Sequence, residues 1–182
     1  MALEHAILVS LAERPGTGYE IGRQFQRSIG YFWSATHQQI YRELDRLATA
    51  DLISELPQEG PPRRGQPRRF AVTAGGRTLL EEWIGELDEP EPLRASLAVR
   101  VRAAAITGRV DEVRRALEHH RDLRRVRLEQ YLGIEQRDFS ATHPADVRGV
   151  LQHRVLTLGI EGERSWLTWC DETLRVLDGL DA

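Results

Sequence analysis

The chain contains 182 residues with a formal net charge of -3 and a single cysteine, Cys170. That length suits a small domain plus a second element of similar size, the lone cysteine excludes an internal disulfide, and no run approaches the roughly 18 consecutive apolar residues of a membrane span. Glu4 and His5 stand where an export signal needs positive charge, so we expect a cytoplasmic protein. Because the charge is nearly balanced, any surface for nucleic acid must be local.

The first predicted elements are two helices separated by a tight turn. Apolar residues recur at helical spacing up to the sequence ERPGTG, which ends the first helix near Glu13. Thr17 and Glu20 form a T-x-x-E capping box, in which each side chain accepts a hydrogen bond from a backbone amide at the start of a helix. A second helix is therefore expected from Gly18 to about Ile29, with Gly30 as its left-handed stop.

A third helix begins at a second capping box, formed by Thr36 and Gln39. At about 100° per residue, its apolar side chains fall on one narrow face. The opposite face, with Gln39 beside it, carries hydrogen-bonding side chains: Gln38, Arg42, Asp45, Arg46 and Thr49. Because glutamine pairs with adenine and arginine with guanine in the major groove, this helix is a candidate for reading base edges. The alternative is a solvated face on which Arg42 and Arg46 pair with Glu43 and Asp45.

Two strands follow this helix. Asp51 to Leu56 alternates apolar and polar residues, a break rich in Pro and Gly runs from Pro57 to Pro67, and RRFAVT resumes the alternation before Thr73 caps a further helix. Three helices, a two-stranded hairpin and a closing helix predict a winged helix-turn-helix. The hairpin tip carries four arginines that can follow a phosphate backbone with salt-dependent affinity: Arg63, Arg64, Arg68 and Arg69.

Residues 1–86 also resemble a known family. The segments GYEIGRQF, GYFWSATHQQIYRELDRLATADLI and GQPRRFAVTAGGRTLLEEWI are similar to the winged-helix domain of PadR-like transcriptional regulators, many of which have proline where this chain has Arg42. Transferred by position, the resemblance implies a set of DNA-contacting residues: Tyr19, Gln38, Gln39, Tyr41, Arg42, Arg63, Arg64 and Gln66. We add Thr36 at the helix cap, Arg46 on the outer face and Arg68 on the wing. Tyr41 lies at the flank of its helix and is equally suited to a half-buried place in the core.

An acidic, proline-broken linker at residues 87–92 separates this domain, residues 1–86, from a second domain at residues 93–182. Helices are expected at Leu93–Ile106, at Val110–Arg137 and from about Ala145 to Leu180. The predicted fold class is thus mainly α: a winged helix-turn-helix domain with a two-stranded wing, followed by an all-α antiparallel helical dimerisation domain.

The last predicted helix has two apolar stripes, a face too wide for one neighbour to cover. We expect one stripe to pack on its own helical hairpin and the other on a second subunit, giving a symmetric homodimer. The stripe for the second subunit holds the interface and effector candidates: Leu151, Val155, Leu158, Gly162, Trp166, Trp169 and Leu177. Its tryptophans suit either plain core packing or a site for a planar ligand. The segment LGIEGERSWLTWCDETL resembles the effector and dimerisation domain of one PadR-like subgroup, which implies a small aromatic or amphipathic effector.

The sequence contains no phosphate-binding glycine loop, zinc-protease motif or nucleophile elbow, and the adjacent His119 and His120 point to different helix faces. We therefore expect no enzymatic activity, no metal site and no cofactor. The favoured function is a transcriptional regulator that binds a pseudo-palindromic operator in double-stranded DNA as a homodimer, and the resemblance implies repression relieved by an effector. The alternative is a winged-helix module that docks proteins and binds no nucleic acid.

Overall fold

The computed structural model of the chain describes residues 2–27, 35–57, 66–90, 92–139 and 146–180. These ranges contain seven helices and three strands, and the chain divides into two units, residues 1–90 and 91–182. The predicted C-terminal end of the second helix, near Ile29, and its stop at Gly30 lie outside the described residues, as do the wing tip at 58–65 and residues 140–145. No helix among the described residues combines the length and hydrophobicity needed to cross a membrane.

The first unit is a winged helix-turn-helix, as predicted. Its elements are α1 (Ala2–Glu13), β1 (Gly16–Thr17), α2 (Gly18–Arg27), α3 (His37–Thr49), β2 (Ile53–Glu55), β3 (Arg69–Val72) and α4 (Ala74–Ile84). The apolar faces of the four helices meet in one buried core, to which the wing strands add Ile53 and Phe70. Burial of these faces supplies most of the stability of such short helices, because isolated helices of this length are marginal in water.

Both predicted capping boxes are present. The Thr17 amide donates to Glu20 Oε2 at 2.8 Å while the Glu20 amide donates to Thr17 Oγ1 at 3.2 Å, and the bond from the Thr17 backbone is the main reason that the pKa of Glu20 is lowered. The same reciprocal pair joins Thr36 and Gln39, at 2.8 and 3.2 Å. Each pair satisfies backbone donors that the first helical turn cannot, so α2 and α3 begin where the sequence placed them.

The sheet has one strand more than predicted. The wing hairpin pairs β2 with β3, and the two-residue strand β1 pairs with the other edge of β3, giving the order β1-β3-β2 with Gly16 opposite Phe70. A strand this short has no alternation to detect, and its partner is remote in the sequence, so the expectation of a two-stranded sheet was incomplete.

Gly76, the third residue of α4, lies beside Leu52, which precedes β2, and Val72, the last residue of β3. A Cβ atom there would stand 2.2 Å from the Leu52 carbonyl oxygen and 2.8 Å from a methyl group of Val72, whereas a Cβ at Gly75 would meet nothing closer than 3.7 Å. We expect Gly76→Ala to lower the free energy of unfolding of the first unit by about 1–3 kcal/mol, because backbone cannot move aside cheaply. Gly75→Ala is the matched control and should be neutral or stabilising by up to about 1 kcal/mol.

Amide hydrogen exchange in α3 and α4 measures this free energy within the first unit. Equal protection in the two alanine variants would contradict the assigned contact.

The second unit is an antiparallel helical assembly of α5 (Ser96–Thr107), α6 (Val110–Asp138) and α7 (Val147–Leu180). Gly108 ends α5 in the left-handed conformation, at φ 70°. Three polar contacts show that α7 runs antiparallel to α6, because the residue number rises along one helix as it falls along the other. They are the ion pairs of Arg114 with Asp178 and of Arg124 with Glu163, and the hydrogen bond between Glu135 and His153.

The two stripes of α7 differ in burial. Leu156, Ile160, Cys170 and Leu174 are buried, and burial raises the pKa of the Cys170 thiol. Gly159 lies under the buried ring of Tyr131, where a Cβ atom would stand 3.0 Å from the ring. The helical hairpin therefore covers one stripe within its own chain, as predicted, and the fully buried Tyr131 of α6 packs against it.

Candidate nucleic-acid interface

The crossing of α2 over α3 is made by two glycines one turn apart. A Cβ at Gly18 would lie 2.5 Å from the Tyr41 ring, and one at Gly22 would lie 2.6 Å from the His37 ring. Two rings of α3 thus pack where α2 has no side chains, and this contact sets the distance between the two helices. Tyr41 keeps 49% of its surface exposed and is not among the described residues of the core, so it lies at the flank of α3 and not in the half-buried core place that the sequence also allowed.

Tyr19 stands beside this crossing, at the start of α2. Its side chain is exposed, and its ring lies nearly parallel to that of His37 with centroids 6.4 Å apart. The structure therefore brings Tyr19 next to the first turn of α3. The sequence did not include His37 among the candidate DNA contacts, although its position one turn before Tyr41 marks the same flank.

The outer face of α3 presents two uncommitted hydrogen-bonding side chains near its start. Ile40, Leu44 and Leu47 are buried, while Gln38 and Arg42, one turn apart, are exposed. Among the described residues, neither Gln38 nor Arg42 has a hydrogen bond or ion pair with another side chain. The solvated-face alternative is therefore met for Arg46, which pairs with Glu43, but not for Arg42, which has no acidic partner in that part of the chain.

Arg46 differs from Arg42 because its charge is already matched. Its Nη2 atom lies 2.7 Å from Glu4 Oε2 and 2.6 Å from Glu43 Oε1, and the hydrogen bonds with Glu43 and then Glu4 raise its pKa. This contact ties α3 to α1 across the first unit. Arg46 stays a predicted DNA contact, although the two carboxylates beside its guanidinium would repel a phosphate.

The two remaining candidate DNA contacts near α3, Thr36 and Gln39, form the N-terminal cap of that helix. Gln39 Oε1 accepts from the Thr36 amide at 2.8 Å, and the Thr36 hydroxyl lies 3.0 Å from the same oxygen. The Gln39 side-chain oxygen is therefore committed to holding the helix start. Its exposed amide nitrogen is the group that stays open to a ligand.

The described part of the wing is its base. Arg68 Nε donates to Glu55 Oε2 at 2.7 Å and Arg68 Nη1 donates to Asp45 Oδ1 at 2.9 Å, and these bonds, that with Glu55 first, raise the Arg68 pKa. Gln66 is half-buried and has a partner. The predicted tip contacts Arg63 and Arg64 lie outside the described residues.

The helical unit contains a polar cluster around Glu163, which the sequence did not predict. Glu163 is buried on α7 and accepts from Arg124 at 2.9 Å and Arg127 at 3.3 Å. The Arg124 guanidinium also lies 4.4 Å above the Trp166 ring, and Trp166 meets Trp169 edge to face at 5.4 Å. One face of the predicted effector residue Trp166 is therefore already covered, and Trp169 packs on the core of the helical unit.

The other interface candidates on α7 divide by position. Leu151, Val155 and Leu158 are 61%, 45% and 69% exposed, and a Cβ at Gly162 would meet nothing within 4 Å. Leu177 does not share this face: it is buried in the helical unit's own core. The helix rotation that turns Leu174 inward carries Leu177, three residues later, to the same side.

Metal-ligand geometry is not found in the described residues, which hold no group of three or more His, Cys, Asp or Glu side chains able to bind an ion.

Comparison with known families matches both units. The Transcriptional regulator PadR-like family matches residues 7–82, and the Virulence activator alpha C-term family matches residues 93–178. The chain is 39% identical, over 97% of its length and 98% of the relative's, to a probable transcriptional regulator of Mycobacterium tuberculosis, Rv1176c. It is 24% identical, over 97% of both chains, to the negative transcriptional regulator PadR of Bacillus subtilis.

Solved structures show the same fold over nearly the whole chain. The Vibrio cholerae virulence activator AphA is 28% identical, with a TM-score of 0.80 over 98% of this chain and 99% of that one. Bacillus subtilis PadR is 23% identical and has been solved with operator DNA, at a TM-score of 0.82 over 97% and 98% of the two chains, and with p-coumaric acid. The chain belongs to the PadR-like family of transcriptional regulators, which are not enzymes.

Proposed function

We propose that this transcriptional regulator binds a pseudo-palindromic operator as a homodimer, with α3 in the major groove and the wing along the backbone. The observation that carries the proposal is the exposed pair Gln38 and Arg42, which have no side-chain partner among the described residues. The first two turns of a recognition helix are the part that meets base edges. We propose cytoplasmic localisation, where such an operator would lie.

The chemistry of this pair suits direct readout. Glutamine can bind adenine through N6 and N7, and arginine can bind guanine through O6 and N7, each with two hydrogen bonds. Residues that are already hydrogen-bonded within the protein must break those bonds before they contact DNA, whereas Gln38 and Arg42 lose only water. Tyr19, which is exposed beside the start of α3, is proposed to contact the sugar-phosphate backbone.

Gel mobility shifts with random duplex at low and high salt separate this function from protein docking. We expect binding that weakens steeply with salt, because released counterions drive phosphate contacts. Absence of any salt-sensitive binding would favour the docking module. Reporter transcription with and without the protein then distinguishes repression, the outcome we propose, from activation.

Dimerisation is proposed to use the exposed part of α7, where Leu151, Val155 and Leu158 form a continuous apolar face. We expect truncation after Asp88 to leave a folded but monomeric winged helix, because the described core residues of the first unit, and Trp83, which stacks on the buried His5, all precede Asp88. Sedimentation equilibrium of the full chain and the truncated chain measures this. A truncated domain that dimerises as tightly as the full chain would rule out α7 as the interface.

A two-fold dimer also predicts the spacing of the operator. Its half-sites should be separated by one helical turn of DNA, about 34–36 Å, or by a multiple of it. Footprinting should therefore show two related protected segments, and a single asymmetric footprint would contradict the symmetry.

A small aromatic or amphipathic effector is proposed to act through the tryptophan pair. Support comes from Trp166, whose ring is partly exposed beside a guanidinium and a second indole. An effector lowers the affinity for DNA tenfold if it binds the DNA-incompetent state about 1.4 kcal/mol more tightly than the DNA-competent state.

Titration of phenolic acids, dyes and hydrophobic drugs by tryptophan fluorescence, with and without operator, tests this coupling. Quenching that leaves operator affinity unchanged for every compound would refute it, as would a response that survives replacement of Trp166 and Trp169 by leucine.

A further inference from the structure

Arg68 joins three elements at the point where the wing returns to the first unit. Its guanidinium reaches Asp45 on the outer face of α3 and Glu55 at the end of β2, at 2.9 and 2.7 Å. Its own backbone leads into β3, and its Cζ atom lies 4.9 Å from the centre of the buried Phe70 ring. No other described arginine of the first unit bridges the recognition helix to both sides of the wing hairpin.

The charges around Arg68 argue against a phosphate contact. One guanidinium faces two carboxylates, so the three groups together carry one excess negative charge. A DNA phosphate brought to the same guanidinium would add a third anion beside two that are already within hydrogen-bonding distance, and like charges this close repel. Arg42, by contrast, offers a charge with no acidic partner among the described residues.

The same contacts fix the geometry of the two proposed DNA-binding elements. Asp45 lies one turn beyond Arg42 on α3, and Glu55 faces Phe70 in the strand register. The Leu56 amide closes the hairpin by donating to the Arg69 carbonyl at 2.8 Å. A planar guanidinium that bonds two carboxylates and stacks on a ring holds one orientation, which a lysine ammonium cannot do.

We propose that Arg68, given the DNA-binding function proposed above, is a positioning residue: it holds the wing against the recognition helix so that the tip arginines and Gln38 and Arg42 engage one duplex together. Asp45 is the anchor on α3, and its neutralisation by Arg68 also keeps an unpaired carboxylate away from the groove. The outer face of α3 therefore carries both reading and anchoring side chains.

A charge exchange tests this role. Arg68→Glu should weaken operator binding about tenfold, within the usual range of coupling between contacting residues. The double variant Glu55→Arg with Arg68→Glu has the wild-type net charge and restores an ion pair between positions 55 and 68, so it should recover part of the affinity. The control variant, Glu81→Arg with Arg68→Glu, has the same net charge, but its new arginine stands at an exposed position of α4. This control should not recover the affinity.

Two further readouts complete the test. Arg68→Ala should leave the slope of log affinity against log salt unchanged. Arg63→Ala at the tip should reduce that slope by about one unit, the amount expected for the loss of one phosphate contact. Without DNA, hydrogen exchange at the Leu56 amide should quicken in Arg68→Glu and slow again in the Glu55→Arg double variant.

The proposal is overturned if Arg68→Ala reduces the salt slope as Arg63→Ala does, if both double variants recover affinity equally, or if Leu56 exchange does not respond. A wild-type chain that binds no DNA would refute the proposed function instead, and hydrogen exchange would still decide whether Arg68 holds the wing.

Discussion

Replacing Arg42 by alanine is expected to weaken operator binding by about 1–3 kcal/mol and to relax the preference for one base pair in each half-site, because the guanidinium can bond a base edge twice. Gln38→Ala should cost a similar amount at a different base pair. The two side chains share no partner among the described residues, so their effects should be nearly additive in the double variant. Anisotropy titrations with operator and single-base variants measure both effects.

Matched controls separate base reading from general binding. Thr49, at the far end of the same face, bonds the Asp45 carbonyl at 2.8 Å, and Thr49→Ala should leave base preference intact. Arg63→Ala with Arg64→Ala should weaken all sequences alike and flatten the salt dependence. If the wing variant lost base preference while the helix variants kept it, the two roles would be reversed.

Glu163→Gln is expected to lower the free energy of unfolding of the helical unit by about 3 kcal/mol, at the lower end for removal of one partner of a buried ion pair. The Glu163 side chain is 8% exposed, and Arg124, one of its two partners, is itself largely buried. Glutamine keeps the volume, so no cavity forms. The cost arises because the Arg124 charge loses its counterion in a partly desolvated site.

Glu161→Gln is the control for this second effect. Glu161 is exposed on the same helix, and its replacement should change stability by less than about 0.5 kcal/mol. Hydrogen exchange of the α6 and α7 amides measures both variants within the helical unit. Equal protection in the two variants would show that Glu163 and its arginines do not stabilise the hairpin.

The features that the sequence predicted correctly are those decided by neighbouring residues. Each capping box is a motif of four consecutive residues, so Thr17 and Thr36 locate the starts of α2 and α3 without knowledge of the fold. The buried face of α3 follows from the same local periodicity. These elements, in their order, were enough to predict a winged helix-turn-helix.

The features that the sequence missed depend on residues brought together by folding. Arg42 and Arg46 look alike in the sequence, but only Arg46 has Glu4 of α1 within reach. Arg68 looks like a fourth tip arginine until Asp45 and Glu55 are seen beside it. On α7, Leu177 fits the exposed stripe by its spacing, yet its side chain is buried in the core at the end of the hairpin. The burial of Glu163 could not be predicted either, because it depends on Arg124 and Arg127 of α6.

Selection of binding sites from random duplex DNA, carried out in parallel with the wild-type chain and with Arg42→Ala, tests the central claim most directly. The wild type should enrich a pseudo-palindromic sequence, and the variant should enrich the same sequence with information lost at one symmetry-related base pair in each half-site. Enrichment of an identical motif by both proteins, or of no motif by the wild type, would contradict base reading by the outer face of α3.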